Sequence, residues 1–247
     1  MKEVSDKVVK NIAHRGFKSR YPENTMIAFE KAVKAGCDGI EFDVHLSKDG
    51  EVVIIHDETL EGTTNGKGRV MDYSLKELKM LDASNRFNDQ TGAQRIPTLR
   101  EYFEFVKELD LLSNIELKTG VYEYHGIEEK VFTLIKEFGL ETKVLISSFN
   151  HESLLRMKKI APEIPCGMLF DTWMIHPEKY VREVGMEYYH PVAYSLRQNI
   201  VEALKKEGIK VNVWVGKEPV DYENIMKLGI DGIITDHPDV IHAILSE

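Results

Sequence analysis

EFDVHLSKDGEVVIIHD, residues 41–57, decides the fold. The first half, up to Leu46, is a β-rich apolar run. The second half, Val52 to Ile55, is another. Between them stands Asp49-Gly50, a strong hairpin signal. If Asp49 and Gly50 are the two central turn residues, Lys48 faces Glu51, Val44 faces Ile55 and Asp43 faces His56. VVII is then an antiparallel arm, and the register returns His56 to the level of Asp43.

Working outward, strand-like runs recur along the chain. VVKNIAH (8–14) and DGIEFDV (38–44) precede the hairpin arm VVIIHD (52–57). LLSNIELK (111–118), KVLISSF (143–149), IPCGMLF (164–170), EYYHP (187–191), KVNVWV (210–215) and DGIITD (231–236) follow it. Amphipathic helical patterns at 25–35, 126–138, 152–160, 198–207, 220–228 and 239–245 alternate with them. Alternating βα units give a parallel sheet. Nine runs less one antiparallel arm leave eight parallel strands, the number that closes a (β/α)8 TIM barrel. The segment 57–97 breaks the alternation. It holds GTTNGKG, a short helix near 74–81 and the polar stretch SNRFNDQTGAQR, and reads as an insertion after the second barrel strand, over the barrel mouth.

The 247 residues suit one such barrel. A net charge of −9 argues against nucleic acid or an anionic membrane as a partner bound by bulk electrostatics. It leaves room for an anionic small molecule, because a bound cation reverses the local field. The two cysteines, Cys37 and Cys166, read as reduced thiols. A charged N-terminus without an apolar signal core, and no transmembrane run, lead to the expectation of a cytoplasmic protein without stable membrane insertion.

Chemistry gathers at the C-terminal ends of the strands, the functional face of a barrel. His14 and Arg15 end the first strand. Glu41 and Asp43, two apart, share a face of the second, and Glu116 and Lys118 repeat the pattern on the third. Three converging carboxylates repel unless compensated. A hard divalent cation, magnesium or calcium, does this with oxygen ligands. Salt bridges to Arg15 and Lys118 are the alternative. His14 and His56 flank the cluster and suit an acid and a base, since imidazole titrates in the useful range. Arg15 and Lys118 are the candidate phosphate contacts. Trp214 is placed to pack in the barrel or line its mouth. Pro22-Glu23-Asn24-Thr25 reads as a helix start and Asp236-His237-Pro238 as a strand-to-helix turn. His45, His125, His151, His176, His190 and His242 have no clustered partner in the sequence and are taken as mostly surface or loop residues.

AHRG at 13–16 followed by PENT at 22–25 resembles the opening of the glycerophosphodiester phosphodiesterases. EFDVHLSKDGEVVIIHDETL, NIELK, IPTL at 96–99, SSF at 147–149 and DGIITDHP continue that pattern in order, over nearly the whole chain. The resemblance implies one phosphodiesterase domain over 1–247, with the insertion at 45–97. It implies His14 and His56 as the acid/base pair, Glu41, Asp43 and Glu116 as metal ligands, and Arg15 and Lys118 on phosphate. The implied reaction converts diesters such as glycerophosphocholine and glycerophosphoethanolamine to glycerol 3-phosphate and an alcohol. Hydrolysis of lysophospholipids, or phosphodiester binding with weak catalysis, are the rival readings. Two positions depart from the family. Gly62 stands where an arginine is usual, so restoring Arg is expected to change affinity for the anionic diester more than turnover. Val215-Gly216-Lys217 follows Trp214 where the family often has Thr-Val-Asn, which bears on the distal alcohol pocket.

Overall fold

The computed structural model describes residues 9–84, 87–216 and 220–247. Lys217 lies outside them, so its part in the distal pocket remains a sequence expectation.

Eight parallel strands close into a barrel in the order β1 (Lys10–His14), β2 (Gly39–Leu46), β4 (Leu112–Leu117), β5 (Val144–Ser148), β6 (Cys166–Phe170), β7 (Tyr188–Pro191), β8 (Lys210–Trp214) and β9 (Gly232–Thr235), which pairs back onto β1. β3 (Val52–Ile54) is the antiparallel arm. β2 is long enough for both neighbours. Its residues Gly39 to Glu41 pair with β1, and Val44 to Leu46 pair with β3 beyond the end of β1. The hairpin therefore rises from the C-terminal rim, next to His14. The other edge of β3 is covered, because Ile54 N–H donates to Pro97 O and Val53 bridges Thr98. An edge strand capped in this way offers no template to another chain.

The hairpin register differs from the sequence expectation by one residue. Val44 faces Ile54 and Leu46 faces Val52. Ser47 N–H donates to Glu51 O, so the loop is Lys48-Asp49-Gly50 and not the pair Asp49-Gly50. Gly50 explains this. It sits at φ +80°, the left-handed residue that follows a type I turn in a three-residue hairpin loop. Ser47 Oγ donates to Asp49 Oδ1 and accepts from Glu51 N–H, which holds that turn in place of the tighter one. Asp43 thus stands opposite Ile55, whose N–H donates to Asp43 O. His56 reaches the site because the chain leaves the strand after Ile54, not through strand register.

Helices α1 (Met26–Lys34), α4 (Leu99–Val106), α5 (Ile127–Phe138), α6 (His151–Ile160), α7 (Pro177–Val184), α8 (Gln198–Lys206), α9 (Tyr222–Lys227) and α10 (Pro238–Leu245) alternate with the barrel strands. α2 (Leu75–Leu78) and α3 (Asn88–Thr91) belong to the segment between β3 and α4. Thr25 caps α1, and Thr98 with Glu101 forms a capping box at α4. The periodicity reading passed over α4 and α7, helices of only eight residues, although Leu99, Tyr102, Phe103 and Val106 form one buried stripe on α4 and Pro177 and Val181 are buried on α7. The main core wraps the barrel, with Phe29, Phe42 and Tyr102 packed at tilted and edge-on angles with centroid distances of 4.3 to 5.8 Å. A separate small cluster of Val53, Ile55, Leu60, Val70, Leu78, Ala83 and Ile96 organises the segment after β3. Cys37 and Cys166 are free thiols, and burial pushes each up to about 12. Among the described residues, no helix is long and apolar enough to cross a membrane.

Candidate active site

Each strand end delivers one part of the site. His14 and Glu41 are register partners across β1 and β2, and Asp43 and Glu116 are partners across β2 and β4. One oxygen from each of Glu41, Asp43 and Glu116 lies within 4.8 Å of the others. All three carboxylates are buried. Burial raises Glu41 well above the ordinary carboxylate range, and the charges of Asp43 and Glu116 add to it. Glu116 is raised by burial and by Asp43, with Lys118 opposing. Asp43 differs. Burial works to raise it, but Arg15, His56, Lys118 and Asn24 together hold it well below the usual range. Its Oδ1 is buried with no hydrogen-bond donor. An orphan carboxylate oxygen facing two other carboxylates fits a hard cation. The cluster can hold a metal ion.

Arg15 and Asn24 adopt left-handed backbone angles, φ +54° and +56°. This conformation costs a non-glycine residue about 1–3 kcal/mol and collects at functional sites. Arg15 N–H donates to Glu41 O at 2.7 Å, and Asn24 N–H donates to Arg15 O. These bonds tie AHRG to PENT. Asn24 Nδ2 then donates to Asp43 Oδ2 at 2.8 Å, and the Arg15 guanidinium bonds Glu23 at 2.7 Å. PENT does start a helix, through Thr25, but its Glu23 and Asn24 also belong to the site.

Lys118 Nζ donates to Glu116 Oε1 at 3.0 Å and lies 3.7 Å from Asp43 Oδ1 and 3.3 Å from His56 Nε2. Burial works to lower its pKa, but Glu116 and Asp43 raise it, so it stays cationic. The ion pairs offered by the sequence as an alternative to a metal are therefore present, and they leave the third carboxylate, Glu41, uncompensated except through Arg15.

Both candidate histidines are held by an aspartate. His14 Nδ1–H donates to Asp236 at 2.6 Å, and His56 Nδ1–H donates to Asp57 at 2.6 Å. Each bond fixes one tautomer and leaves Nε2 directed at the carboxylate cluster. His14 Nε2 lies 3.9 Å from Glu41 Oε2. Burial and the Arg15 charge bring His14 down to about 4, against the pull of Asp236, so its ring is neutral at pH 7. Asp236 is lowered to about 2: burial opposes this, and the His14 bond outweighs it.

Asp236-His237-Pro238 does turn into α10, but its first residue orients His14, a role the sequence reading missed. The rule that selected Glu41 and Glu116, a polar residue at a strand's C-terminal end, selects Asp236 too. His45 also differs from expectation. It is fully buried. Its Nε2–H donates to His56 O at 3.1 Å and its Nδ1 accepts from Tyr124 Oη at 2.9 Å. Burial lowers it to about 4, consistent with a neutral ring bridging these two groups. His190 is buried against Asn212, while His125, His176 and His242 are exposed. His151 is intermediate.

His14, Arg15, Glu41, His56, Glu116 and Trp214 line one cavity of about 660 Å³. Trp214 is at the mouth, with its Nε1–H on Phe170 O and Phe149 packed edge-on at 6.1 Å.

Residues 14–240 match the glycerophosphoryl diester phosphodiesterase family. The chain belongs to that family. It is 45% identical over 230 residues to the glycerophosphodiester phosphodiesterase of Caldanaerobacter subterraneus subsp. tengcongensis, covering 93% of this chain and 95% of the other. It is 44% identical to the Bacillus altitudinis glycerophosphodiester phosphodiesterase, covering 94% and 96%. A phosphodiesterase of Oleispira antarctica, solved with its product sn-glycerol-3-phosphate, superposes with TM-score 0.82 at 30% identity, over 96% of each chain. This chain is accordingly a glycerophosphodiester phosphodiesterase built on a TIM barrel.

The position of Gly62 in this phosphodiesterase revises one expectation. A Cβ there would overlap Asp57 Oδ2, the carboxylate that holds His56. A side chain at 62 acts on His56, not only on affinity. Gly62→Ala is expected to lower kcat about tenfold or more with KM within a small factor, as loss of a transition-state contact does. Steady-state kinetics on a glycerophosphodiester check this. A change confined to KM would place the loop away from His56.

Proposed function

We propose that this phosphodiesterase hydrolyses glycerophosphodiesters of amino alcohols, glycerophosphocholine and glycerophosphoethanolamine, to glycerol 3-phosphate and the free alcohol, with magnesium or calcium. The observation that carries the reading is a pair of Asp-oriented histidines on either side of three buried carboxylates. The rim supports the choice of alcohol. Phe149, Tyr194 and Trp214 line the cavity with Asp171 and Asp221, a surface suited to an ammonium group.

Glu41, Asp43 and Glu116 would hold the cation, which when bound would supply Lewis acidity at the phosphoryl group. Arg15 and Lys118 neutralise the remaining phosphoryl charge. His14 Nε2, neutral at pH 7, takes the proton of the glycerol hydroxyl vicinal to the ester as its oxygen bonds phosphorus. His56 gives a proton to the alcohol oxygen as the P–O bond to choline or ethanolamine breaks. Water then opens the cyclic phosphate, with the two histidines in exchanged roles. Asp236 and Asp57 hold the rings in the required tautomers, and His45 anchors the backbone of His56.

The apolar share of the rim, Leu169, Val192, Val215 and Ile225, favours lysophospholipids as a second reading. A panel of glycerophosphocholine, glycerophosphoethanolamine and 1-acyl-lysophosphatidylcholine, with glycerol 3-phosphate and free choline both measured, tests the choice. Glycerol 3-phosphate released from the first two supports the main reading. Choline released only from the lysophospholipid overturns it.

A further inference from the structure

We propose that Asn114 and Ser147 form a subsite for the terminal hydroxyl of the substrate's glycerol, the one neither esterified nor vicinal to the ester. This rests on the reading that glycerophosphodiesters occupy the cavity. Asn114 precedes Glu116 by two residues on β4, so it lies on the same inward face, about 6.6 Å further down the strand. In register it stands between Glu41 of β2 and Leu145 of β5, while Ser147 stands beside Glu116. Both residues are fully buried, and both line the cavity. Neither the carbonyl nor the amide of Asn114 has a hydrogen-bond partner, nor does Ser147 Oγ.

A buried polar group left unpaired destabilises a protein, and such groups are rare without a reason. Thr119 and His190 also carry unpaired atoms, but those residues do not line the cavity. Asn114 and Ser147 both present unpaired donors and acceptors to the same cavity, from adjacent strands. A phosphoryl oxygen only accepts, and the cationic side of the site serves it. A quaternary ammonium offers no N–H. A hydroxyl both donates and accepts, and it satisfies the pair. With phosphorus at the histidines, the glycerol runs from the carboxylate layer towards this floor, and its last hydroxyl meets the amide. The floor then recognises a free hydroxyl and rejects an acyl ester at that position. The apolar rim is left to the departing alcohol.

The test compares glycerophosphocholine with its deoxy analogue, 2-hydroxypropyl phosphocholine, and with 1-acyl-lysophosphatidylcholine. Wild-type kcat/KM is expected to fall at least about tenfold on loss of the hydroxyl, since a site built to pair a hydroxyl discriminates strongly against its absence. Lysophosphatidylcholine should be a poorer substrate still. Asn114→Ala should lower the rate on glycerophosphocholine and leave the deoxy analogue nearly unchanged, so that the preference collapses. Ser147→Ala should weaken it in the same direction. Calorimetric affinities for glycerol 3-phosphate against 2-hydroxypropyl phosphate give the same comparison without turnover. Melting curves of both variants check folding. Equal wild-type handling of the two substrates and of the two phosphates, or an undiminished preference in both variants, overturns the subsite and leaves a resident water as the partner. If glycerophosphocholine is not hydrolysed at all, the reading of the substrate fails, and the paired affinities still decide the subsite.

Discussion

Chelation of divalent cations is expected to abolish turnover, and magnesium or calcium to restore it. Glu41, Asp43 and Glu116 crowd within 4.8 Å in a buried site where Lys118 and Arg15 reach mainly Asp43 and Glu116. Glu41 and Glu116 both titrate above the ordinary 4.5, burial being the first cause. The sign follows. A carboxyl with a raised folded pKa binds more protons folded than unfolded. In the metal-free enzyme these two groups therefore take stability away as pH rises from the ordinary carboxylate range through their folded values. A cation reverses this by replacing the proton, so metal affinity and metal-induced stabilisation both grow with pH. At a hundredfold excess over Kd the cation should add about 2.7 kcal/mol to stability, visible as a higher Tm. Glu41→Gln, Asp43→Asn and Glu116→Gln should each weaken binding by titration calorimetry. Full activity in metal-free enzyme, or a Tm indifferent to the cation, would sink the metal assignment.

The fold was legible because its signals are local. Eight apolar runs of strand length, separated by helical periods, admit few closed topologies, and Asp49-Gly50 marked the ninth run as an arm. The one-residue slip in that arm came from reading a Gly-containing turn as two residues. Gly50 at φ +80° serves a three-residue loop equally well, and the Ser47 hydroxyl holds that loop together with the bonds from Lys48 N–H to Tyr73 O and from Leu75 N–H to Asp49 Oδ1. Helices Leu99–Val106 and Pro177–Val184 were missed although both were readable: the Thr98–Glu101 capping box opens the first, and Leu99, Tyr102, Phe103 and Val106 fall at helical spacing on one buried face.

The candidate site was legible where polar residues sit at strand ends, which brings His14, Glu41, Asp43, Glu116 and Lys118 together. What joins these residues to the rest was not. Asp236 meets His14 across 222 residues of chain, and His45 reaches the His56 carbonyl from within the barrel wall. Such pairings depend on closure of β9 against β1 and on the path of the chain after Ile54, neither of which a local pattern encodes. Asn114 shows the same limit from the other side. Its place on NIELK was plain, but its lack of a partner is a property of the packed barrel.

Replacing either histidine is expected to have the largest effect on chemistry. General acid and general base catalysis each contribute about 10²–10⁴-fold. His14→Ala and His56→Ala should each lower kcat on glycerophosphocholine by about that factor. Metal affinity should largely persist, since the three carboxylates are untouched. Because both groups serve one proton-transfer cycle, the double variant should lose far less than the product of the single losses. The leaving group separates the roles. With a nitrophenyl diester the departing oxygen needs little protonation, so His56→Ala should recover much of its rate while His14→Ala should not. That assignment follows from burial, which with Arg15 keeps His14 unprotonated down to about pH 4. Asp236 pulls the other way through its bond to His14, so Asp236→Asn should lower the His14 pKa further and also loosen the tautomer that Asp236 fixes. The measurement is kcat against pH for both diesters in the three single variants and the double variant. Recovery by His14→Ala in place of His56→Ala would exchange the roles. Wild-type kcat in both single variants on the natural diester would reduce the two Asp–His pairs to scaffolding for the loops that carry them.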